Sequence, residues 1–156
     1  MTPSVNIHAS CVRFGRQGVL LLGKSGAGKS DLALRLIARG ARLVSDDRCV
    51  LCVVNGRLVA QPPPAIAGLL EVRGVGIVKM PHAAGAAIEL VADLSARVER
   101  LPEPARYAPP KPLALRQSAQ PKLIALNAFE TSTPDKIALL LGALRQSAKS
   151  RAVKRN

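Results

Sequence analysis

The spacing of apolar residues changes several times along the first sixty positions, and each change predicts an element. Asn6 to Val12 mixes apolar and short polar residues as a strand does, and Gly18 to Leu22 is a compact apolar run ending at a glycine, the pattern of a buried strand. From Lys29 the apolar positions move to Leu32, Ala33, Leu36 and Ile37, three and four apart, which predicts an amphipathic helix stopping at Gly40. Arg42 to Ser45 reads as a short strand that delivers Asp46 and Asp47 at its C-terminal end. Cys49–Val54 and Arg57–Gln61 flank Asn55 and Gly56, the dipeptide that best tolerates the two positive φ angles of a type I′ hairpin turn.

Pro62, Pro63 and Pro64 break that pattern, and Ala65 to Leu70 predicts a helical turn leading into EVRGVGIVKM. Ala87 to Leu94 reads as another strand, Pro102 to Pro121 as a long loop, Leu123 to Leu126 as a last strand and Asp135 to Leu144 as a last helix entered at Pro134. Strands alternating with helices in this way give an α/β class, and no internal repeat is present.

Length and composition narrow the setting. At 156 residues the chain has the size of one ordinary domain, expected over 1–148, with the basic segment KSRAVKRN at 149–156 as a solvated, flexible tail. The longest apolar runs are too short to cross a bilayer, and MTPSVNIHASCVRF lacks the basic flank and apolar stretch of a secretory signal, so a cytoplasmic protein with no membrane role is expected. The balance of 23 Lys and Arg against 10 Asp and Glu gives +13, a field that attracts anionic partners. Nucleic acid is not expected among them: the aromatics are only Phe14, Tyr107 and Phe129, without the basic and aromatic interleaving of single-strand binders. Cys49 and Cys52 have CxxC spacing, but no second pair or histidine pair accompanies them, so with Cys11 they read as small core residues.

The chemistry concentrates between Gly23 and Asp47. GKSGAGKS, comprising Gly23, Lys24, Ser25, Gly26, Ala27, Gly28, Lys29 and Ser30, matches G-x-x-x-x-G-K-[ST] at every required position. At ordinary residue frequencies a chain of this size shows that pattern by chance roughly once in two hundred. It also lies between a predicted strand and a predicted helix, as a phosphate-binding loop requires. Its glycines let backbone N–H groups converge on phosphate oxygens, Lys29 supplies charge to the β and γ phosphates, and Ser30 offers a hydroxyl to Mg²⁺. Asp46 and Asp47 point to opposite faces of a strand end, so one carboxylate suits a base towards an attacking hydroxyl while the other orients metal-bound water or pairs with Arg42 or Arg48.

His8, the loop, Asp31, RLVSDD and LLEVRGVGIV from Leu69 to Val78 together resemble the catalytic domain of bacterial HPr kinase/phosphorylase, colinearly from about His8 to Leu101. The resemblance implies a P-loop α/β fold with a phosphoenolpyruvate carboxykinase-like nucleotide-binding core. It implies an ATP-dependent protein serine kinase acting on HPr, the phosphocarrier protein of the phosphotransferase system, with ATP and Mg²⁺ as cofactors and a homo-oligomer of six subunits. Lys29 would hold the phosphates, Ser30 and Glu71 the metal, Asp47 with Asp46 beside it would act as base, His8 would assist, and Arg100 matches a later active-site arginine.

Two departures qualify the match. His8 lies near the start, as in a short form made of the catalytic domain alone. LNAFETS from Leu126 to Ser132 stands where the family's P-V-x-x-G-R-N loop is expected, so kinase activity follows from the resemblance more directly than the reverse, phosphate-dependent removal of serine phosphate. Two other readings fit the same loop: a P-loop small-molecule kinase or NTPase, and a non-catalytic nucleotide-sensing or nucleic-acid-binding module suggested by the charge.

Overall fold

A computed structural model of the chain describes residues 2–155. The strands are β1 (Ser4–Ile7), β2 (Ala9–Phe14), β3 (Gln17–Leu22), β4 (Arg42–Ser45), β5 (Cys49–Val54), β6 (Arg57–Gln61), β7 (Leu69–Val72), β8 (Gly76–Lys79), β9 (Ala86–Asp93), β10 (Ala105–Arg106) and β11 (Lys122–Ala125). Two helices, α1 (Lys29–Ala38) and α2 (Thr133–Arg155), and two short 3₁₀ turns complete the fold, which is α/β as expected.

The main sheet is mixed. Across one edge the order is β4, β2, β3, β9, with β11 on the far side of β9. β3 and β11 both run parallel to β9, while β2 is antiparallel to β3 and to β4. The C-terminal ends of β3, β4, β9 and β11 therefore emerge at the same edge, together with the start of β2. Loops leaving such an edge are where α/β proteins place ligands.

β3 is buried on both faces, which explains its unbroken apolar run. Val19 and Leu21 face one core with Leu32, Leu36, Leu90 and Ile137, whereas Leu20 faces a second core with Leu51, Leu58 and Val91. In α1 the predicted stripe is kept, with Leu32, Ala33 and Leu36 fully buried and Ile37 partly buried against the same core. The helix stops where Gly40 adopts φ 106°, a left-handed conformation, and donates its N–H to Ile37 O at 3.0 Å. No helix among the described residues is long and apolar enough to cross a membrane.

Four elements depart from the sequence pattern. The expected strand from Asn6 to Val12 is interrupted at His8, because the chain leaves its pairing with β5 there and joins β3 and β4 instead. The helical turn expected over Ala65 to Leu70 is a 3₁₀ turn confined to Pro64–Ile66, and Leu69 and Leu70 already belong to β7, which forms a separate hairpin with β8. The proline-studded loop contains β10, paired with β11. Finally, α2 begins at Thr133 and continues past Leu144 through the basic segment to Arg155, since neither Gly nor Pro follows Gly142 to end it. From Arg145 to Val153 that helix is solvent-exposed throughout.

Candidate functional site

The loop from Gly23 to Gly28 joins β3 to α1 as its pattern requires. Gly28 adopts φ 93° at the helix entrance, and a Cβ there would lie 2.9 Å from Ala128 Cβ, so both the backbone conformation and the space demand glycine. Gly23 is crowded as well, since an added Cβ would approach Ala27 Cβ to 2.8 Å. Lys29 is buried at 6% exposure, and its Nζ donates to Gly23 O at 2.5 Å and Lys24 O at 3.3 Å. No carboxylate lies within ion-pair distance of it among the described residues. A buried ammonium held only by neutral carbonyls at a glycine-rich helix N-terminus is a site that fits a polyphosphate.

Asp46 and Asp47 occupy the corner between β4 and β5, where the turn of the chain sends their side chains to different places. Asp46 is buried at 6% exposure. Its Oδ1 accepts the hydroxyl of Ser30 at 2.7 Å and that of Ser10 at 2.9 Å, and its Oδ2 accepts the amide of Glu71 at 3.1 Å. Asp47 is solvent-exposed, with its side chain 60% accessible, and its Oδ1 meets His8 Nε2. The backbone of Asp47 lies at φ 66°, an unusual conformation for a residue other than glycine, which Asp and Asn tolerate best. That corner is fixed from behind: Asp47 N donates to Ser10 Oγ at 3.0 Å, and Ala9 N donates to Asp47 O at 3.0 Å.

The structure thus gathers His8, Asp46, Asp47, Lys29 and Ser30 at one sheet edge. Glu71 arrives there through its backbone; its carboxylate is exposed and has no hydrogen-bond partner among the described residues, so Asp46 rather than Glu71 stands against Ser30. Arg100 lies in the exposed stretch after β9 and makes no hydrogen bond or ion pair among the described residues. An oxygen pair such as Ser30 with Asp46 suits Mg²⁺, which typically takes one or two carboxylates and completes its shell with water and phosphate.

Ser10 is absent from the sequence reading although it joins the Asp46 carboxylate to the backbone amide of Asp47. A signal exists: it is the lone polar residue within the buried run Ala9, Ser10, Cys11, Val12, and a fully buried hydroxyl must find partners. The three cysteines are free and buried, as small core residues. Burial pushes the Cys49 thiol up to about 12 and raises Cys11 well above its ordinary value, so both stay protonated.

Comparison with known proteins shows the family and the fold. The HPr Serine kinase C-terminal domain family matches residues 1–99. The HPr kinase/phosphorylase of Clostridium tetani (strain Massachusetts / E88) is 41% identical over 85 residues, covering 54% of this chain and 28% of the relative. That of Clostridium acetobutylicum is 43% identical over 81 residues, covering 52% of this chain and 27% of the relative. The matched stretch is therefore little more than a quarter of those curated relatives. The structure of the Hpr(Ser) kinase/phosphatase from Coxiella burnetii shares the fold with a TM-score of 0.75 at 22% identity, covering 97% of this chain and 96% of that one. With more than half of its length matched, this chain belongs to the HPr serine kinase C-terminal domain family.

Proposed function

We propose that the chain is an ATP-dependent protein serine kinase whose acceptor is an HPr-like phosphocarrier of the phosphotransferase system. The observation that carries this reading is the pair of strand-end carboxylates, one bonded to the loop hydroxyl of Ser30 and the other to His8. Such a pair separates two tasks that phosphoryl transfer needs, holding the donor and activating the acceptor.

In this mechanism Lys29 and the backbone amides of the loop bind the phosphates of ATP. Ser30 and Asp46 would hold Mg²⁺, which would neutralise the developing charge on the transferred group. Asp47 accepts the proton of the acceptor serine as its oxygen attacks the γ phosphorus, and the bond to the departing ADP breaks. His8 orients the Asp47 carboxylate, and Ser10 ties the Asp46 carboxylate to the Asp47 backbone. The accessibility of Asp47 and His8 favours a macromolecular acceptor, because both stand at the surface rather than within a closed cleft. Arg48, next to Asp47, is exposed and offers a cationic group to an acidic partner. Glu71 and Arg100 remain candidates for metal and phosphate contact. By resemblance the working form is a homo-oligomer of six subunits, and a reaction of ATP with a phosphotransferase-system carrier is a cytoplasmic one.

The test is intact-mass analysis of HPr-like carriers after incubation with the protein, Mg²⁺ and ATP, with Lys29→Ala as control. One phosphoryl group on a serine, absent with the variant, is expected. ATP turnover without any acceptor would instead assign a small-molecule kinase or NTPase.

A further inference from the structure

Beyond the loop and the carboxylates lies a cavity of about 340 Å³ that no residue of the proposed transfer chemistry fills. The loop apex from Lys24 to Ala27 forms one wall, Leu94, Ser95 and Val98 after β9 form a second, and Asn127 with Phe129 after β11 forms a third. From this geometry we infer that the cavity takes the nucleobase of the donor nucleotide, with Phe129 as its stacking platform; the inference rests on the nucleotide-binding reading of the loop.

Strand order fixes the direction. The loop leaves β3, the carboxylates stand at the end of β4 two strands to one side, and the cavity stands at the ends of β9 and β11 on the other. A nucleoside triphosphate laid along the loop with its terminal phosphate at Ser30 and Asp46 has its base on the β9 and β11 side. The cavity is within the size range of small-molecule sites, and its lining mixes the apolar Ala27, Leu94, Val98 and Leu126 with polar groups such as Ser95 and Asn127, as the flat face and polar edge of a base require.

Phe129 is the feature that no packing requirement explains. It is 68% exposed in a chain with two phenylalanines and one tyrosine. Its position is nevertheless set: Phe129 N donates to Asn127 Oδ1 at 2.9 Å, and a Cβ on Gly28 would meet the edge of the ring at 3.1 Å. The ring edge therefore rests on the loop glycine that precedes Lys29 while the ring stays open to solvent. A flat aromatic beside a phosphate-binding loop suits a flat aromatic ligand, and base–aromatic stacking is tolerant of base identity. The far wall is fixed to the loop as well, since Lys24 N donates to Ser95 Oγ at 2.9 Å and Asp93 Oδ1 accepts the amides of Ser95 and Ala96.

The experiment compares ATP with inorganic tripolyphosphate, which carries the phosphates without a base, on the whole chain with Mg²⁺. Phe129→Ala is expected to weaken ATP binding about tenfold to a hundredfold and to leave tripolyphosphate binding unchanged. Because the chain contains no tryptophan, Phe129→Trp introduces a single indole whose fluorescence ATP should alter and tripolyphosphate should not. Unchanged ATP affinity in Phe129→Ala would overturn the assignment. Equal weakening of both ligands would overturn it too, reducing Phe129 to a support for Gly28. Wild-type protein that binds neither ligand would overturn the nucleotide reading of the loop itself, an outcome distinct from the other two.

Discussion

Ser30 donates its hydroxyl to Asp46 Oδ1 at 2.7 Å, tying the first turn of α1 to the end of β4. The bond joins the two residues best placed to share a metal ion, and it draws a buried carboxylate towards the loop rather than towards the surface. Asp46→Asn keeps the shape but removes the charge. It is expected to lower phosphoryl transfer by about a hundredfold or more, as loss of a charge-stabilising group at a reacting centre commonly does. Mg²⁺ dependence of ATP binding separates this from simple misfolding: the variant should retain metal-free nucleotide binding and lose the Mg²⁺ enhancement. An unchanged enhancement would move the metal to Glu71.

Asp47 allows a clean test of the base. Its φ of 66° is a conformation that asparagine tolerates nearly as well as aspartate, so Asp47→Asn should fold with little loss of stability. Asp47→Ala adds backbone strain of about 1 kcal/mol to the chemical change. For Asp47→Asn, ATP affinity should persist while transfer to the acceptor falls by about 10² to 10⁴, the range of a general base. His8→Ala, which removes only the partner of that carboxylate, should cost less. Full transfer by Asp47→Asn would end its assignment as base.

Ser10 connects the Asp46 carboxylate to the backbone amide of Asp47 without reaching solvent. It donates to Asp46 at 2.9 Å and accepts from Asp47 N at 3.0 Å, with 0% exposure. Ser10→Ala removes one donor from the buried Asp46 carboxylate and the partner of the Asp47 amide, a cost of about 1–3 kcal/mol measurable by denaturant unfolding. Its effect on function should appear mainly in kcat, because the residue positions both the Asp46 carboxylate and the Asp47 corner while the loop keeps its own contacts to the phosphates. A rise in KM alone would assign Ser10 to packing.

Much of this was legible in the sequence, for identifiable reasons. The stripe of Leu32, Ala33 and Leu36 and the apolar run into Gly23 are local periodicities, and the structure keeps them as α1 and β3. The hairpin around Asn55 and Gly56 is set by local turn chemistry, and both residues show positive φ. Corners are different. The break at His8 and the turn at Asp46 to Arg48 arise because the chain changes pairing partners, and the reason lies in distant strands. The same holds for Ser10 and Phe129, whose roles depend on residues 36 positions or more away in the first case and on Gly28 in the second. Continuation of α2 was missed because basic residues near a terminus suggest solvation, although alanine, lysine and arginine are good helix formers.

The buried thiols give the fold a predictable alkaline limit. Burial raises Cys49 from 9.0 to about 12 and lifts Cys11 in the same direction. A raised folded pKa means that the folded chain holds its proton after the unfolded chain has released it. The contribution to stability is therefore fully present below pH 9 and is lost as pH climbs from 9 towards 12. One such group changes the unfolding free energy by about 1.4 kcal/mol per pH unit within that window. Cys49→Ala should be less stable at neutral pH, because a buried group is removed, yet its stability should fall less steeply between pH 9 and 11 than that of wild type. Lysine, tyrosine and arginine titrations are common to both proteins, so the difference in slope reports the Cys49 thiol together with its effect on neighbouring Cys11. Parallel curves would show that Cys49 ionises in the folded state as readily as in the unfolded one, which its burial between β1 and β6 and the contact of its sulfur with Ala9 O at 3.3 Å argue against.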